Sequence, residues 1–168
     1  MTSRETEALQ ALLAHHRRLG EEMQRRVGAV TAAAEAGGSL APATSNLLAY
    51  LASDVLPHAY AEEDTIYRAA AAQTDLAGTI SEMITEHRVL ATAASRLAGG
   101  LDDSSALMQA KMLSALITSH VVKENEVLLP ALLADDSVDL EDLLEQLEGR
   151  LAESPEEQAS RVGARVIL

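Results

Sequence analysis

Two short stretches of the chain repeat the same spacing of a histidine and a glutamate. In HAYAEEDTIY, Glu62 follows His58 by four residues, and in HVVKENEVLLP, Glu124 follows His120 by four. On a helix, residues four apart lie about 40° apart around the axis and about 6 Å apart along it, so each pair can direct two ligands into one pocket. Imidazole nitrogen and carboxylate oxygen are common metal ligands. The repeat therefore predicts that two helices share in binding metal.

A single pair at this spacing is weak evidence, because 26 of the 168 residues are acidic and an exposed pair adds only a small contact on a helix surface. Two further histidines strengthen the hypothesis: His16 shares a helical stripe with leucines, and His87 lies between Ile84 and Ala91 on another. Buried histidines and carboxylates are costly unless they are paired or ligated. The predicted metal ligands are His16, His58, Glu62, His87, His120 and Glu124.

The predicted ligands offer nitrogen and oxygen only, since the chain has no cysteine. Six such ligands on four helices favour a site for two borderline or hard metal ions, with iron the leading choice. We therefore expect two non-haem iron ions as the cofactor.

The ligands lie on segments whose apolar residues recur at three- and four-residue steps, which predicts helices. Glycine pairs beginning at Gly37 and Gly99 end the first and third of them. Pro57 is expected to kink the second helix, and Val127 is expected on the inner face of the fourth. The predicted helices span roughly residues 4–36, 43–71, 76–98, 104–133 and 138–152.

Four long helices with one apolar stripe each and short connections predict an all-α fold. The expected arrangement is an up-down-up-down four-helix bundle with a short additional C-terminal helix. We expect one domain, with the bundle in residues 1–136 and the helix and tail of the same domain in 137–168. The apolar face of the last helix either packs on its own bundle or meets a partner protein.

Charge and composition restrict the possible partners. The net charge is -13 at pH 7, which repels phosphate backbones and anionic lipid, so we expect neither a nucleic acid nor a membrane partner. The lack of cysteine is compatible with a reducing cytosol. The N-terminal stretch MTSRETEALQ is unlike a secretory signal, and no apolar run reaches the ~18 residues that span a bilayer. We therefore expect a soluble, cytoplasmic protein.

The order of the ligands along the chain, H then HxxxE then H then HxxxE, resembles that of hemerythrin-like (HHE cation-binding) proteins. The resemblance covers roughly residues 9–133 and includes HAYAEE, EHRVL and HVVKENEVLLP. It implies an antiparallel helical bundle around a non-haem centre of two iron ions, bridged by an oxo or hydroxo group and by two carboxylates. The implied terminal ligands are His16, His58, His87 and His120, and the implied bridges are Glu62 and Glu124.

The chain departs from the oxygen-carrying hemerythrins at two positions. Those proteins have a second histidine one turn after the ligand of the third helix, where this chain has Ala91, and their last carboxylate follows its histidine by five residues, where Glu124 follows by four. With about five ligands, each iron keeps one octahedral position open. The resemblance then implies a protein that binds or turns over a small oxidant: O2, H2O2 or NO.

The sequence leaves the kind of function open. Turnover would make the protein a peroxide-degrading, catalase-like enzyme or an oxidoreductase related to nitric oxide, and reversible binding would make it a carrier. An alternative is an iron- or oxygen-responsive sensor module that acts through a partner protein. The sequence does not identify a reductase or another protein partner. A ferritin-like oxidase is disfavoured because that class uses Glu-x-x-His spacing and mostly carboxylate ligands.

Three further residues are candidates for the wall of the pocket. Tyr50 and Asp54 precede His58 by two turns and one turn, so Asp54 either orients an imidazole or is an ordinary residue at the bundle edge. Tyr67 lies half a turn out of phase with His58 and would reach the metals only if the helix departs from regular geometry.

Several other polar residues lie next to the predicted ligands. Of the adjacent pair His15 and His16, the apolar stripe favours His16 as the ligand. Glu63 and Glu126 are expected to be solvated, and Glu86 is expected to face away from the site.

Overall fold

The computed structural model describes residues 3–71, 75–135 and 137–152, and in these ranges every regular element is helical. The predicted all-α class is therefore confirmed. Thr2, which the spacing of Thr2 and Glu5 predicts as the cap of the first helix, and the tail beyond residue 152 lie outside the described residues. The helices are α1 (Ser3–Glu35), α2 (Ala41–Tyr50), α3 (Leu56–Asp64), α4 (Ile66–Ala70), α5 (Ala77–Ala98), α6 (Asp103–Lys123), α7 (Leu129–Leu133) and α8 (Leu140–Leu151).

The second predicted helix is a run of three consecutive helices, α2 to α4, with a wide π-helical turn at Leu51–Val55 and a break at Thr65. In this turn the Leu56 N–H donates to the carbonyl of Leu51, five residues back, and Pro57 follows at once. A proline has no N–H and its ring crowds the carbonyl four residues back, which the wider turn relieves. The effect of Pro57 is therefore a π-helical turn before the proline.

The fourth predicted helix contains a second π-helical turn, at Glu124–Leu128, which joins α6 to α7. It is also followed by a proline, Pro130. The additional residue in the turn rotates the chain after Glu124, so Leu128 is buried and Val127 is 45% exposed. The prediction that Val127 faces the core was wrong for this reason.

The helices pack so that four long helical runs contact one another in a closed ring. Helix α1 packs against α2 and α6, and α5 packs against α2, α3 and α6. The buried apolar residues form two clusters, one on each side of the predicted ligands along every run. On α1, for example, Leu12 belongs to one cluster and Leu19 to the other, with His16 between them. The fold therefore places a polar layer between two apolar cores.

Helix α8 covers one side of this ring. Asp139 caps it by accepting a hydrogen bond from the Asp142 N–H, and Leu140, Leu144 and Leu147 are buried. The helix contacts α1, α3 and α4, so its apolar face packs on its own chain. Among the helices of the described residues, none combines the length and the apolar character needed to cross a membrane.

Candidate metal centre

The polar layer contains two groups of four side chains whose ligand atoms converge. In the first group, one ligand atom from each of four residues lies within 4.8 Å of the others: His16, His58, Glu62 and Glu124. Glu62 Oε1 lies 2.8 Å from His58 Nε2 and 3.2 Å from His16 Nε2. Glu124 Oε2 lies 3.8 Å from His16 Nε2. We call this group the His16/His58 half of the centre.

The second group contains His87 and His120 together with the same two carboxylates. Here Glu124 Oε1 lies 3.4 Å from His120 Nε2, and Glu62 Oε2 lies 3.9 Å from His87 Nε2. We call this group the His87/His120 half. Each carboxylate thus directs one oxygen to each half, which is how a carboxylate would bridge two metal ions.

Burial and hydrogen bonding test whether these residues fit metal ions. All six side chains are buried, with Glu62 and His16 only 1% exposed. Both ring nitrogens of His58 and Oε2 of Glu124 have no hydrogen-bond partner, although His58 Nε2 lies 2.8 Å from Glu62 Oε1 without the alignment of a hydrogen bond. A buried polar atom without a partner costs about 1–3 kcal/mol. Metal coordination at His58 Nε2 and Glu124 Oε2 would remove this cost for those two atoms, so the residues fit metal ions.

The carboxylates also change the protonation of the imidazoles when no metal is bound. Burial lowers the pKa of His16, but its hydrogen bond with Glu62 and the charge of Glu124 outweigh burial and raise the pKa to about 9. The same balance of burial against Glu124 raises the pKa of His120 to about 9. Burial raises the pKa of Glu62, yet His58 and His16 hold it well below its usual range. A metal ion must therefore displace protons in order to bind.

Three of the four imidazoles are held from outside the centre through their second ring nitrogen. His87 Nδ1 lies 2.9 Å from Glu63 Oε1, and His120 Nδ1 lies 2.8 Å from Glu86 Oε2. His16 Nδ1 lies 2.7 Å from the amide oxygen of Asn125. Since these oxygens accept, each Nδ1 carries a proton, and each Nε2 would present its lone pair to a metal ion that replaces the proton bound there.

Tyr67 also reaches the centre. Its hydroxyl donates to Glu124 Oε1 at 2.5 Å and lies 3.0 Å from His120 Nε2, and its ring stacks on that of His87 at 5.3 Å between centroids. The helical run breaks at Thr65, whose φ of -120° and ψ of -87° separate α3 from α4. This departure from regular geometry brings Tyr67 into phase. Burial and the charges of the two carboxylates raise the pKa of Tyr67 in the metal-free protein.

The other candidates for the pocket wall lie elsewhere. The Tyr50 hydroxyl donates to the carbonyl of Leu19 at 3.0 Å, within an apolar core, and Asp54 is exposed and accepts from Ser53. The π-helical turn at Leu51–Val55, which contains Asp54 and separates Tyr50 from His58, breaks the helical phase on which their expected position depended. The expectation that they line the pocket is corrected accordingly.

His15 lies beside the centre without joining either group of four. Its ring centroid lies 4.6 Å from that of His58, and its Nε2 is buried without a hydrogen-bond partner. Burial and the neighbouring His58 lower the pKa of His15 to about 4, so its imidazole is neutral at pH 7. Of the adjacent pair, only His16 directs a nitrogen into the converging groups that the described residues form.

A comparison of the chain with protein-family models gives a match. The model described as the Hemerythrin HHE cation binding domain matches residues 7–132, about three quarters of the chain. The chain belongs to the hemerythrin HHE cation-binding family. The resemblance seen in the sequence is thus confirmed. No curated protein and no solved structure gives a significant match.

The matched part of this hemerythrin domain includes all six predicted ligands and Tyr67, and it ends before α8. The outer hydrogen-bond partners of the histidines were not predicted from the sequence, because Glu63 was expected to be solvated and Glu86 to face away. The signal was adjacency: Glu63 follows Glu62, Glu86 precedes His87 and Asn125 follows Glu124. A residue next to a ligand is rotated by about 100° around the helix, towards the neighbouring helix.

The contacts made by the neighbours of the predicted ligands follow one direction around the ring of four helical runs in the hemerythrin domain. The residue next to a ligand on one run contacts the ligand histidine of the next run. The contacts are His15 of α1 with His58, Glu63 of α3 with His87, Glu86 of α5 with His120, and Asn125 of the second π-helical turn with His16. The adjacent residue precedes its ligand on α1 and α5 and follows it on the other two runs, as expected if successive runs alternate in direction.

Proposed function

We propose that this hemerythrin domain is an up-down-up-down bundle that holds two iron ions and binds or turns over a small oxidant. The observation that carries the proposal is the sharing of Glu62 and Glu124, each with one oxygen facing each half of the centre. Nitrogen and oxygen ligands without sulfur suit iron in either of its common oxidation states. Iron would supply the redox chemistry with O2, H2O2 or NO.

The side chains of the centre would bind the two irons and determine which iron keeps a position open for the oxidant. His16 and His58 would hold one ion and His87 and His120 the other, with the two carboxylates between them. We assign Tyr67 as a further ligand of the His87/His120 half, since its hydroxyl lies 3.0 Å from His120 Nε2. A bound cation favours loss of the phenol proton, opposing the raised pKa of the metal-free protein. The exchangeable position for the oxidant then belongs to the His16/His58 half.

The apolar clusters on both sides of the polar layer exclude water from the centre. This burial strengthens the hold of the carboxylates on cations. The alternative of a sensor acting through a partner depended on a free apolar face of the last helix. Leu144 and Leu147 on that face are only 2% exposed because they pack on the chain itself, so the proposal of direct oxidant chemistry is favoured.

Metal analysis together with oxidant mixing tests the proposal. We expect two irons per chain after expression in iron-supplied medium, and a visible spectrum that changes when the reduced, anaerobic protein meets O2, H2O2 or NO. O2 release from H2O2 would indicate a catalase-like enzyme, sustained loss of NO a nitric-oxide oxidoreductase, and a spectrum restored by evacuation a carrier. Bound zinc in place of iron, or iron that responds to none of the three, would contradict the proposal.

A further inference from the structure

The outer hydrogen bonds differ between the two halves of the centre. In the His87/His120 half, both imidazoles donate Nδ1–H to a carboxylate: His87 to Glu63 at 2.9 Å and His120 to Glu86 at 2.8 Å. These two acceptors carry negative charge, which makes a hydrogen bond about twice as strong as one between neutral groups. Both imidazoles of this half are therefore stronger donors to a metal ion.

The His16/His58 half has no such charge. His16 donates to the neutral amide oxygen of Asn125 at 2.7 Å. Among the residues that the structure describes, no group accepts a hydrogen bond from His58 Nδ1, which is buried beside the ring of His15. The imidazoles of this half are therefore weaker donors and less firmly oriented.

Lys123 holds Glu86, one of the two carboxylate acceptors of the His87/His120 half, in place. Its Nζ donates to Glu86, whose other oxygen accepts from His120, and also to Glu82 at 2.9 Å. Glu86 is thus a carboxylate held between a cation and an imidazole, and it acts on the metal site only through His120.

We infer that the two halves of the centre retain metal unequally, the His87/His120 half tightly and the His16/His58 half in exchange with solution. The inference rests on the proposed two-iron function and adds to it the positioning residues Glu63, Glu86 and Asn125. Loss of such an outer partner typically costs about 10- to 100-fold in metal affinity. A chain with a single ion, held by His87 and His120, is then the stable intermediate in loading and unloading.

Release of iron to a chelator tests the inference on the full-length, iron-loaded protein. The reduced protein is mixed anaerobically with excess coloured ferrous chelator, and absorbance follows the release of each ion. We expect two phases of equal amplitude whose rates differ by about 10-fold or more.

Glu86→Gln should accelerate the slow phase about 10-fold and leave the fast phase unchanged. Glu63→Gln provides a second variant should the first fail to fold. Glu82→Gln is the matched control, because Glu82 also binds Lys123 but contacts no imidazole in the described residues.

A substitution in the His16/His58 half tests whether a charged acceptor slows the release of the more weakly held ion. Asn125→Asp would give His16 a charged acceptor in place of the amide and should slow the fast phase, so that the two rates approach each other. Gln24→Glu, which adds the same charge at an exposed position of α1, should leave both rates unchanged.

Four results would overturn the inference. Two irons that leave in a single phase, or a Glu86→Gln protein that behaves like Glu82→Gln, would show that the outer partners do not set retention, and the two-iron function would stand. An Asn125→Asp protein whose fast phase is unchanged would also contradict unequal retention by the acceptor charge. A wild-type chain that holds fewer than two irons even with iron in excess would contradict the proposed function itself, and this inference with it.

Discussion

At the scale of single residues, the candidate centre includes neighbours of the predicted ligands as well as the predicted ligands themselves. Glu63 and Glu86 adjoin ligands on their own helices and hold the imidazoles of the next helical run. The sequence indicated the six converging residues by their spacing, but the contacts across helices depend on how the helices are rotated. Tyr67 reaches the centre only because the helical run breaks at Thr65.

Substitution of the tyrosine tests its assignment as a ligand. Ferric iron bound by a phenolate absorbs in the visible range, so Tyr67→Phe should abolish a long-wavelength band of the oxidised protein. Iron content should remain near two per chain, because the histidines and carboxylates are unchanged. Tyr50→Phe is the control, since its hydroxyl is bonded to the Leu19 carbonyl, and its spectrum should match that of the wild type. A band that persists in Tyr67→Phe would remove the tyrosine from the ligand set.

At the scale of helices, the sequence predicted the extent of the elements well and their irregularities poorly. Apolar periodicity, glycines and prolines predicted helix ends within about two residues of those observed. The π-helical turns at Leu51–Val55 and Glu124–Leu128 were not predicted, because a wide turn leaves the composition of a helix unchanged. Both precede a proline, which is the one local signal that the sequence offers.

Helix α8 is expected to stabilise the bundle that it covers. Leu144 is buried where α8 packs against the bundle, so Leu144→Ala should lower the free energy of unfolding by about 2–5 kcal/mol in urea titrations. Met108→Ala, at a side chain that is 69% exposed, should change it by less than about 0.5 kcal/mol. Equal effects of the two substitutions would mean that α8 does not pack on the bundle in solution.

At the scale of the whole molecule, the two apolar clusters and the polar layer between them connect stability to metal and to pH. Six buried polar side chains weaken a core unless they are paired. In the metal-free protein, protonated His16 and His120 supply the pairing for the carboxylates. In the loaded protein the ions would replace those protons, so metal binding and folding are coupled.

The coupling predicts opposite effects of pH on the two forms. The pKa of His16 and of His120 rises from 6.5 to about 9 on folding, so their contribution to stability is complete below pH 6.5 and is lost as the pH rises through 9. The free energy of unfolding of the metal-free protein should therefore fall between pH 6.5 and 9. Over the same range the additional stability from metal should grow, since fewer protons compete. Urea titrations of both forms at several pH values measure this, and a metal-free protein that gains stability above pH 7 would contradict it.

The central claim is that Glu62 and Glu124 bring two iron ions into one centre. The Mössbauer spectrum of the oxidised, iron-57-loaded protein at liquid-helium temperature tests this most directly, because bridged ferric ions couple magnetically and isolated ones do not. We predict two irons per chain, all in coupled pairs with a diamagnetic ground state. Magnetically split spectra of isolated ferric iron, or one metal per chain, would contradict the account.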